Sequence, residues 1–345
     1  MNNNNIYEMI KKYNTISIIG MDKNVGKTTV LNYILSKARG KVCLGLTSIG
    51  RDGEEEDTVT FTEKPRIYVE KGTFIATGKQ CLYSSDITRE IVRTTGINTA
   101  MGEVIIAGAL SDGYVELGGP SLNTYMVHIC DVLKEVGSDI VIVDGALSRK
   151  SFASPAITEA TILSTGAVLS RSMDKVVEKT SHCIRLLSLE CENDEEIQKL
   201  CKNIPMSYRV SIINKDMTVI NLNLSTALEA SSEIAESLKE SAAYVLIRGI
   251  VSDKLIEGIM KATDKYKNIT FLCEDGTKLF ISSDTLYKFE KQGGKLKVLN
   301  KVNIICVTAN PKSPYGYEFE GNKFLEKLRS KINLPVFDVK AGEKH

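Results

Sequence analysis

Short apolar runs alternate with stretches of helical periodicity along the first half of the chain. Residues 16–19 and 41–46 are typical of buried strands, and residues 28–38 between them predict a helix. Residues 139–143 and 161–169 predict two further strands. Strands that alternate with helices indicate an α/β fold, with a mostly parallel sheet covered by helices on both faces.

A second block of the same kind follows a helix predicted at residues 173–189 and a charged, exposed helix at residues 194–202. Another helical stretch covers residues 227–239. The pattern of residues 276–300 indicates hairpins and a small helix, with Gly293 in a turn. The strands predicted after residue 202 occupy residues 210–213, 244–247, 269–273, 302–308 and 335–339, and a helix occupies residues 322–331.

Composition and charge narrow the range of partners. Of 345 residues, 43% are hydrophobic and 25% are charged, which is ordinary for a globular protein. Lys and Arg number 44, Asp and Glu number 43, and the formal net charge is +1. This balance argues against a protein whose main task is to bind nucleic acid or an anionic membrane, so we expect neither as a partner. The three histidines nearly exclude a histidine-rich metal site.

Cysteine usage and hydropathy indicate the compartment. The eight cysteines are scattered and form no C-x-x-C pair, which is typical of thiols in a reducing environment. No apolar run approaches the roughly 18 residues of a membrane-spanning helix. The Asn-rich start is not followed by the apolar region of a signal peptide. We therefore expect a cytoplasmic protein.

One motif carries specific chemistry. Residues 20–28 read GMDKNVGKT and fit G-x-x-x-x-G-K-[ST], the Walker A or P-loop pattern. An apolar run precedes the motif and a helix-forming run follows it, as its strand–loop–helix setting requires. Gly20 and Gly26 permit a tight backbone path with positive φ angles. The loop amides at the start of the helix are then available to phosphate oxygens.

The side chains of this motif have separate expected roles. Lys27 is the catalytic residue that reaches the β- and γ-phosphates. The Thr28 hydroxyl is a ligand of Mg²⁺, and Thr29 contacts the α-phosphate. ATP and Mg²⁺ are the expected cofactors. The other positions assigned to nucleotide binding are Gly20, Asp22, Lys23, Asn24, Val25 and Gly26.

An acid on the metal side is expected at Asp144. Residues 139–145 read DIVIVDG, in which four apolar residues end in a carboxylate, as in a Walker B strand. Ligands bind at the carboxyl edge of open α/β sheets, where Asp144 would lie. We therefore assign Asp144 a catalytic and Mg²⁺-binding role beside Lys27. Gly145 would let the backbone approach the γ-phosphate.

Further candidates stay open between two interpretations. Asp52, directly after the second predicted strand, is either a second Mg²⁺-linked acid or part of the solvated acidic loop that follows it. The glycine clusters at residues 77–79 and 118–121 are either loops that contact a substrate or partner, or ordinary turns. Asn310 follows a strand near the C-terminus, where it either contacts the nucleotide base or belongs to a turn.

Missing motifs narrow the choice of nucleotide. Guanine specificity normally requires N-K-x-D, but here Asp216 directly follows Lys215, so ATP is favoured over GTP. Asp22 occupies the place of the signature lysine of deviant, MinD-type loops, so the loop is of the ordinary kind. A cobalamin-ligating D-x-H-x-x-G motif is absent.

Four segments carry a resemblance to a known family. The loop resembles the KNxGKTT loops of MobB-like and dethiobiotin-synthetase-like P-loop proteins. More narrowly, the chain resembles the P-loop subunits of lysine 5,6-aminomutase reactivases, the KamB family. The segments of this narrower resemblance are SIIGMDKNVGKTTVLNY (17–33), TSIGRDGE (47–54), VDGALSRKSFASP (143–155) and ANPKSPYG (309–316).

This resemblance implies a function and partners. The chain would be the ATP-binding and ATP-hydrolysing subunit of a reactivase in lysine fermentation. It would restore lysine 5,6-aminomutase by promoting the exchange of damaged adenosylcobalamin, together with a second, MutS-like subunit. The alternative is a small-molecule kinase or a dethiobiotin-synthetase-like ligase. A third possibility is an interaction protein that binds nucleotide without hydrolysing it.

The length suggests about two domains. We assign residues 1–190 to a P-loop nucleotide-binding domain and residues 191–300 to a second α/β region or insertion. Residues 301–345 form a strand–helix–strand segment. Two arrangements fit this pattern: the last strands belong to a second domain, or they return to the first sheet.

Overall fold

A computed structural model describes residues 6–49, 66–146, 154, 156–224 and 230–339. The chain divides into two compact units. The first unit combines Met1–Ser181 with Asn303–His345, and the second is His182–Val302. Within the described ranges, no helix combines the length and the apolar character needed to cross a membrane.

The strands and helices are labelled in chain order. The strands are β1 (Thr15–Gly20), β2 (Leu44–Ser48), β3 (Ile67–Val69), β4 (Phe74–Gly78), β5 (Arg89–Thr99), β6 (Gly102–Ala109), β7 (Gly113–Val115), β8 (Ile140–Ala146), β9 (Ala160–Gly166), β10 (Val210–Asn214), β11 (Val219–Leu222), β12 (Ala242–Ile247), β13 (Val251–Ser252), β14 (Thr270–Asp275), β15 (Leu279–Phe280), β16 (Lys295–Asn300), β17 (Ile304–Asn310) and β18 (Val336–Phe337). The helices are α1 (Ile6–Ile10), α2 (Lys27–Ala38), α3 (Lys79–Tyr83), α4 (Asn123–Glu135), α5 (Met173–Leu187), α6 (Glu195–Asn203), α7 (Ser231–Ser237), α8 (Asp253–Ala262), α9 (Ser283–Lys291) and α10 (Gly321–Lys331).

The first unit is built on a nine-stranded sheet with the order β18-β17-β9-β1-β8-β2-β4-β6-β5. Neighbouring strands from β18 to β4 are parallel, whereas β6 is antiparallel to both β4 and β5. The strand–helix–strand segment at the end of the chain therefore contributes β17 and β18 to this sheet. Sequence analysis did not predict β3 to β7, although β5 is rich in the β-branched residues that favour strands.

Helices cover both faces of this sheet. Alternate residues of a strand point to opposite faces, and on the central strands both sets are buried. Ile18 on β1 and Ile142 on β8 belong to the core that includes Ile34 of α2. Val143, the next residue on β8, belongs to the core that includes Ile129 of α4. The α/β class and the large, mostly parallel sheet expected from the sequence are thus confirmed.

The second unit has a five-stranded sheet with the order β11-β10-β12-β14-β16. β10 is antiparallel to β11 and β12, and β12, β14 and β16 are parallel. Phe289 of α9 packs against Tyr266 and Phe271, with ring centroids 5.5 and 5.7 Å away. The expected hairpins between residues 276 and 300 are wrong: α9 connects β14 to a parallel β16, because a helical crossover carries the chain back to the same edge.

Candidate phosphate-binding site

The Walker A residues form the connection between β1 and α2 in the first unit. β1 lies between β8 and β9 and is parallel to both, with Gly20 opposite Ala146 and Ser164. The loop therefore leaves the carboxyl edge in the middle of the parallel strands. The backbone N–H of Met21 donates to the Ser164 carbonyl at 2.8 Å and fixes the start of the loop.

The glycines of the loop are required by space and by conformation. A Cβ atom on Gly20 would lie 2.6 Å from Cγ2 of Val25 and 2.9 Å from Nζ of Lys27, closer than real contacts allow. Gly26 has a φ of 93° and Asn24 a φ of 58°, both in the left-handed region. The loop thus closes tightly over its own Lys27 side chain.

The start of α2 presents backbone donors that have no acceptor within the helix. Gly26 is the N-cap residue and, having no side chain, makes no capping hydrogen bond to the first turn. The first amides of a helix have no partner within the helix and carry its positive dipole end. Lys27, Thr28 and Thr29 are half-buried in this turn. The arrangement can bind an anion with several oxygens.

Lys27 lies in a partly desolvated environment. Its Nζ donates a long hydrogen bond of 3.4 Å to the carbonyl of Asp22. Burial lowers the pKa of Lys27, while the negative charges of Asp144 and Asp22 act in the opposite direction. A desolvated ammonium group with such weak internal pairing interacts strongly with an incoming phosphate.

Asp144 is the acid of the site, a half-buried residue with one buried carboxylate oxygen. Its backbone on β8 lies between Ile18 of β1 and Ser48 of β2. Its Oδ1 atom is buried and has no hydrogen-bond partner among the described residues. Burial raises the pKa of Asp144 to about 6, against the lowering effects of the Lys27 charge and the Gly145 amide. A buried carboxylate oxygen without a donor is costly, and a cation would satisfy it.

The residues present fit Mg²⁺ bound together with phosphates. Among the described residues, no cluster of three or more His, Cys, Asp or Glu side chains could hold a metal alone. Mg²⁺ in phosphate sites typically takes one or two protein oxygens and fills its remaining positions with phosphates and water. Thr28 and Asp144 are the two described residues that would supply such oxygens. Asp52 and its neighbour Arg51 lie outside the described residues, so the second acid stays a prediction.

The two glycine clusters have structural partners. Thr77 Oγ1 donates to the Glu116 carbonyl at 3.0 Å and accepts from the Gly118 amide at 2.9 Å. A Cβ atom on Gly119 would lie 2.1 Å from the Ser48 carbonyl oxygen. These contacts place the loop before α4 tightly over the end of β2. They explain the glycine at position 119 by close packing against Ser48, and both interpretations of the cluster stay predictions.

Asn310 contacts the phosphate loop, a contact that sequence analysis missed. Its Nδ2 donates to the Asn24 carbonyl at 3.1 Å, across 286 positions of the chain. From the sequence, Asn310 was interpreted as a contact to the nucleotide base or as part of a turn. No local pattern indicates a hydrogen-bond partner so distant in the chain. Asp216, the misplaced acid of the guanine motif, accepts from the Thr218 amide at 3.1 Å in the turn between β10 and β11.

The site therefore combines a glycine-bounded loop, a helix start, a half-buried lysine and a half-buried acid at one edge of a parallel sheet. Comparison of the chain with models of protein families, with curated proteins and with solved structures found no match. The geometry of the site is consequently the basis on which its function is inferred.

Proposed function

We propose that the first unit is a P-loop NTPase domain that binds Mg-ATP through residues 20–29 and hydrolyses it. The observation that supports this most directly is the pairing of two features at one sheet edge. Gly20 and Gly26 shape a loop around Lys27 at the start of α2, and Asp144 on the adjacent strand has a buried oxygen to which none of the described residues donates. A triphosphate supplies anions for the loop, and its Mg²⁺ supplies the cation for Asp144.

Each residue has a defined task in this proposal. The loop amides and Lys27 bind the phosphate oxygens and stabilise negative charge that develops on them during transfer. Thr28 and Asp144 would hold Mg²⁺, which would supply positive charge to offset the negative charge of the phosphates. The half-buried position of these side chains strengthens the electrostatic interactions because little water screens them.

We further propose that ATP turnover serves the reactivation of lysine 5,6-aminomutase in the cytoplasm, with a MutS-like second subunit. This part depends on the four segments that resemble the KamB family. Contacts of the γ-phosphate with the segments after Asp52 and Asp144 would differ between ATP and ADP. Such a difference is a common way to transmit nucleotide state to a partner protein.

Nucleotide binding is tested by titrating Mg-ATP into the wild-type chain and into K27A. We expect K27A to bind Mg-ATP at least about tenfold more weakly, because a desolvated, charge-assisted contact is lost. The matched control is K37A, which removes the same charge about 15 Å along α2, given a rise of 1.5 Å per residue. Equal affinities of wild type, K27A and K37A would contradict the proposed nucleotide site.

The partner role is tested by reactivation. Mutase inactivated by turnover is incubated with the chain, the second subunit, ATP and fresh adenosylcobalamin, and mutase activity is measured. We expect recovery with wild type and K37A and none with K27A. Binding and hydrolysis of ATP without recovery of the mutase would leave the nucleotide site standing and reject the reactivase role. Turnover stimulated by a small acceptor alone would favour the kinase or ligase alternative.

A further inference from the structure

The side-chain amide of Asn310 forms two hydrogen bonds with backbone groups, one as donor and one as acceptor. It is the last residue of β17 and is half-buried. Its Nδ2 donates to the Asn24 carbonyl at 3.1 Å, and its Oδ1 accepts from the Lys312 amide at 3.2 Å. The acceptor therefore fixes the side chain to its own turn, and the donor reaches the phosphate loop.

Gly166 provides the space that Asn310 needs. The two residues are opposite each other in the register of β9 and β17. A Cβ atom on Gly166 would lie 2.8 Å from the Asn310 carbonyl oxygen and 3.1 Å from its Cβ atom. The φ of Gly166 is −177°, an extended conformation open to any residue. Close approach, and not backbone freedom, is thus the reason for glycine at this position.

The turn that follows Asn310 is also held in place. The Phe319 amide donates to the Pro311 carbonyl at 2.9 Å, and the Ser313 amide donates to the Tyr317 carbonyl at 2.9 Å. The Tyr317 hydroxyl donates to the Ala167 carbonyl at 2.6 Å, next to the end of β9. The turn next to Asn310 is therefore hydrogen-bonded both within itself and to the residue that follows β9.

We propose that Asn310 is a positioning residue for the phosphate loop. By holding the Asn24 carbonyl, it maintains the left-handed backbone at Asn24 and Gly26, so that the loop has its phosphate-binding path before a ligand arrives. The contact is to the loop itself, so its effect concerns phosphates and is independent of the nucleotide base. This inference depends on the proposed nucleotide site.

A ligand without a base separates loop positioning from base contact. Inorganic tripolyphosphate and ATP, each with Mg²⁺, are titrated into wild type and N310A. We expect N310A to weaken both ligands by about the same factor, roughly five- to tenfold, the usual effect of one lost hydrogen bond on a preorganised site. Weakening of ATP alone would make Asn310 a base contact, and unchanged affinity for both ligands would make it purely structural; either outcome overturns the proposal.

Two further variants act on the same contact by different routes. N310D keeps the acceptor for the Lys312 amide and loses the donor to Asn24, and its added charge is separated by repeating the titration at high salt. G166A leaves Asn310 in the chain but displaces it. We expect both to weaken tripolyphosphate. Normal binding by G166A, with the displacement of Asn310 verified by a crystal structure, would overturn the proposal.

The matched control is N303A. Asn303 precedes β17 at its opposite end, and its Nδ2 donates to the Glu159 carbonyl at 2.9 Å, the same type of bond. We expect N303A and N310A to lower the melting temperature by similar amounts, with tripolyphosphate affinity reduced only in N310A. Equal affinity in N303A and N310A would overturn the proposal. If wild type binds neither ligand, the nucleotide site itself fails and this inference fails with it; if wild type binds both and N310A binds equally, only this inference fails.

Discussion

The two units differ in whether all their buried polar side-chain atoms have hydrogen-bond partners. In the second unit, the described residues leave no buried side-chain nitrogen or oxygen without a hydrogen-bond partner. In the first unit, three buried side-chain oxygens have no hydrogen-bond partner among the described residues. They are Oδ1 of Asp144 and the hydroxyls of Thr47 and Ser138. Unpaired buried polar atoms cost free energy, and each of them calls for a physical explanation. Asp144 is the only one of these three residues that can carry a charge, and its unpaired oxygen supports the Mg²⁺ role proposed for it.

Arg248 shows the fully paired case. It is 4% exposed, and its guanidinium donates to the carbonyls of Cys201, Ile204 and Pro205 at 2.6, 2.7 and 2.8 Å. These bonds join the end of β12 to the end of α6 within the second unit. A buried charge of this kind is a structural element, because its hydrogen bonds are satisfied by the chain itself.

The largest effect that would test this comparison is expected at Arg248. R248M removes the donors to three carbonyls, and we expect it to lower the free energy of unfolding by about 2–4 kcal/mol. The measurement is denaturant unfolding, with R209A as the control on an exposed arginine, expected within about 0.5 kcal/mol of wild type. Affinity for Mg-ATP should stay within about twofold of wild type. Loss of nucleotide binding in a folded R248M variant would contradict the purely structural role of Arg248.

The next largest effect is expected at Asp144, where substitution should increase the free energy of unfolding. Its pKa in the folded chain is raised to about 6, so the unfolded chain loses the proton first as the pH increases. Stability is therefore full below about pH 4 and decreases as the pH rises through about 6. D144N has no carboxylate at this position, and we expect it to be more stable than wild type at pH 7 by up to about 3 kcal/mol without ligand.

The gain should vanish near pH 4, which unfolding curves at both pH values would reveal. D131N, at an exposed carboxylate on α4, is the control for loss of a negative charge. A D144N variant that is less stable than wild type at pH 7 would mean that the Asp144 carboxylate stabilises the ligand-free fold. That result would contradict the expected difference between Asp144 and Arg248.

The smallest effect concerns the pH dependence of binding. Mg²⁺ requires ionised Asp144, so wild type should lose up to about tenfold in affinity for Mg-ATP for each pH unit below 6. The phosphates of ATP also titrate in this pH range. The pH profile of D144N therefore serves as the reference, because it contains the effect of ATP protonation without that of Asp144. Parallel pH profiles of wild type and D144N would show that Asp144 does not take part in binding.

Local patterns indicated the strand–loop–helix around Lys27 because its requirements lie within about ten residues: two glycines, a lysine and a following helix. The strand that ends at Asp144 was indicated for the same reason, by four apolar residues in a row. Strand β5 was missed because it is mostly exposed and lacks the apolar run that identified the central strands. Strand β6 does carry such a run, at residues 104–107, and could have been predicted from it. The parallel position of β16 was missed because the period of a strand does not specify its neighbour.

The amino-acid sequence by itself determined the α/β class and the local form of the phosphate loop, since short-range periodicity and glycine placement specify both. Only the tertiary structure decided that β17 and β18 join the sheet of the first unit, that Gly166 leaves space for Asn310, and that Asn310 donates a hydrogen bond to Asn24, 286 positions away. It also decided that Asp144 Oδ1 is buried and has no donor within the part of the chain that the structure describes. These features depend on residues brought together by packing, and burial and pairing have no signature in a local pattern.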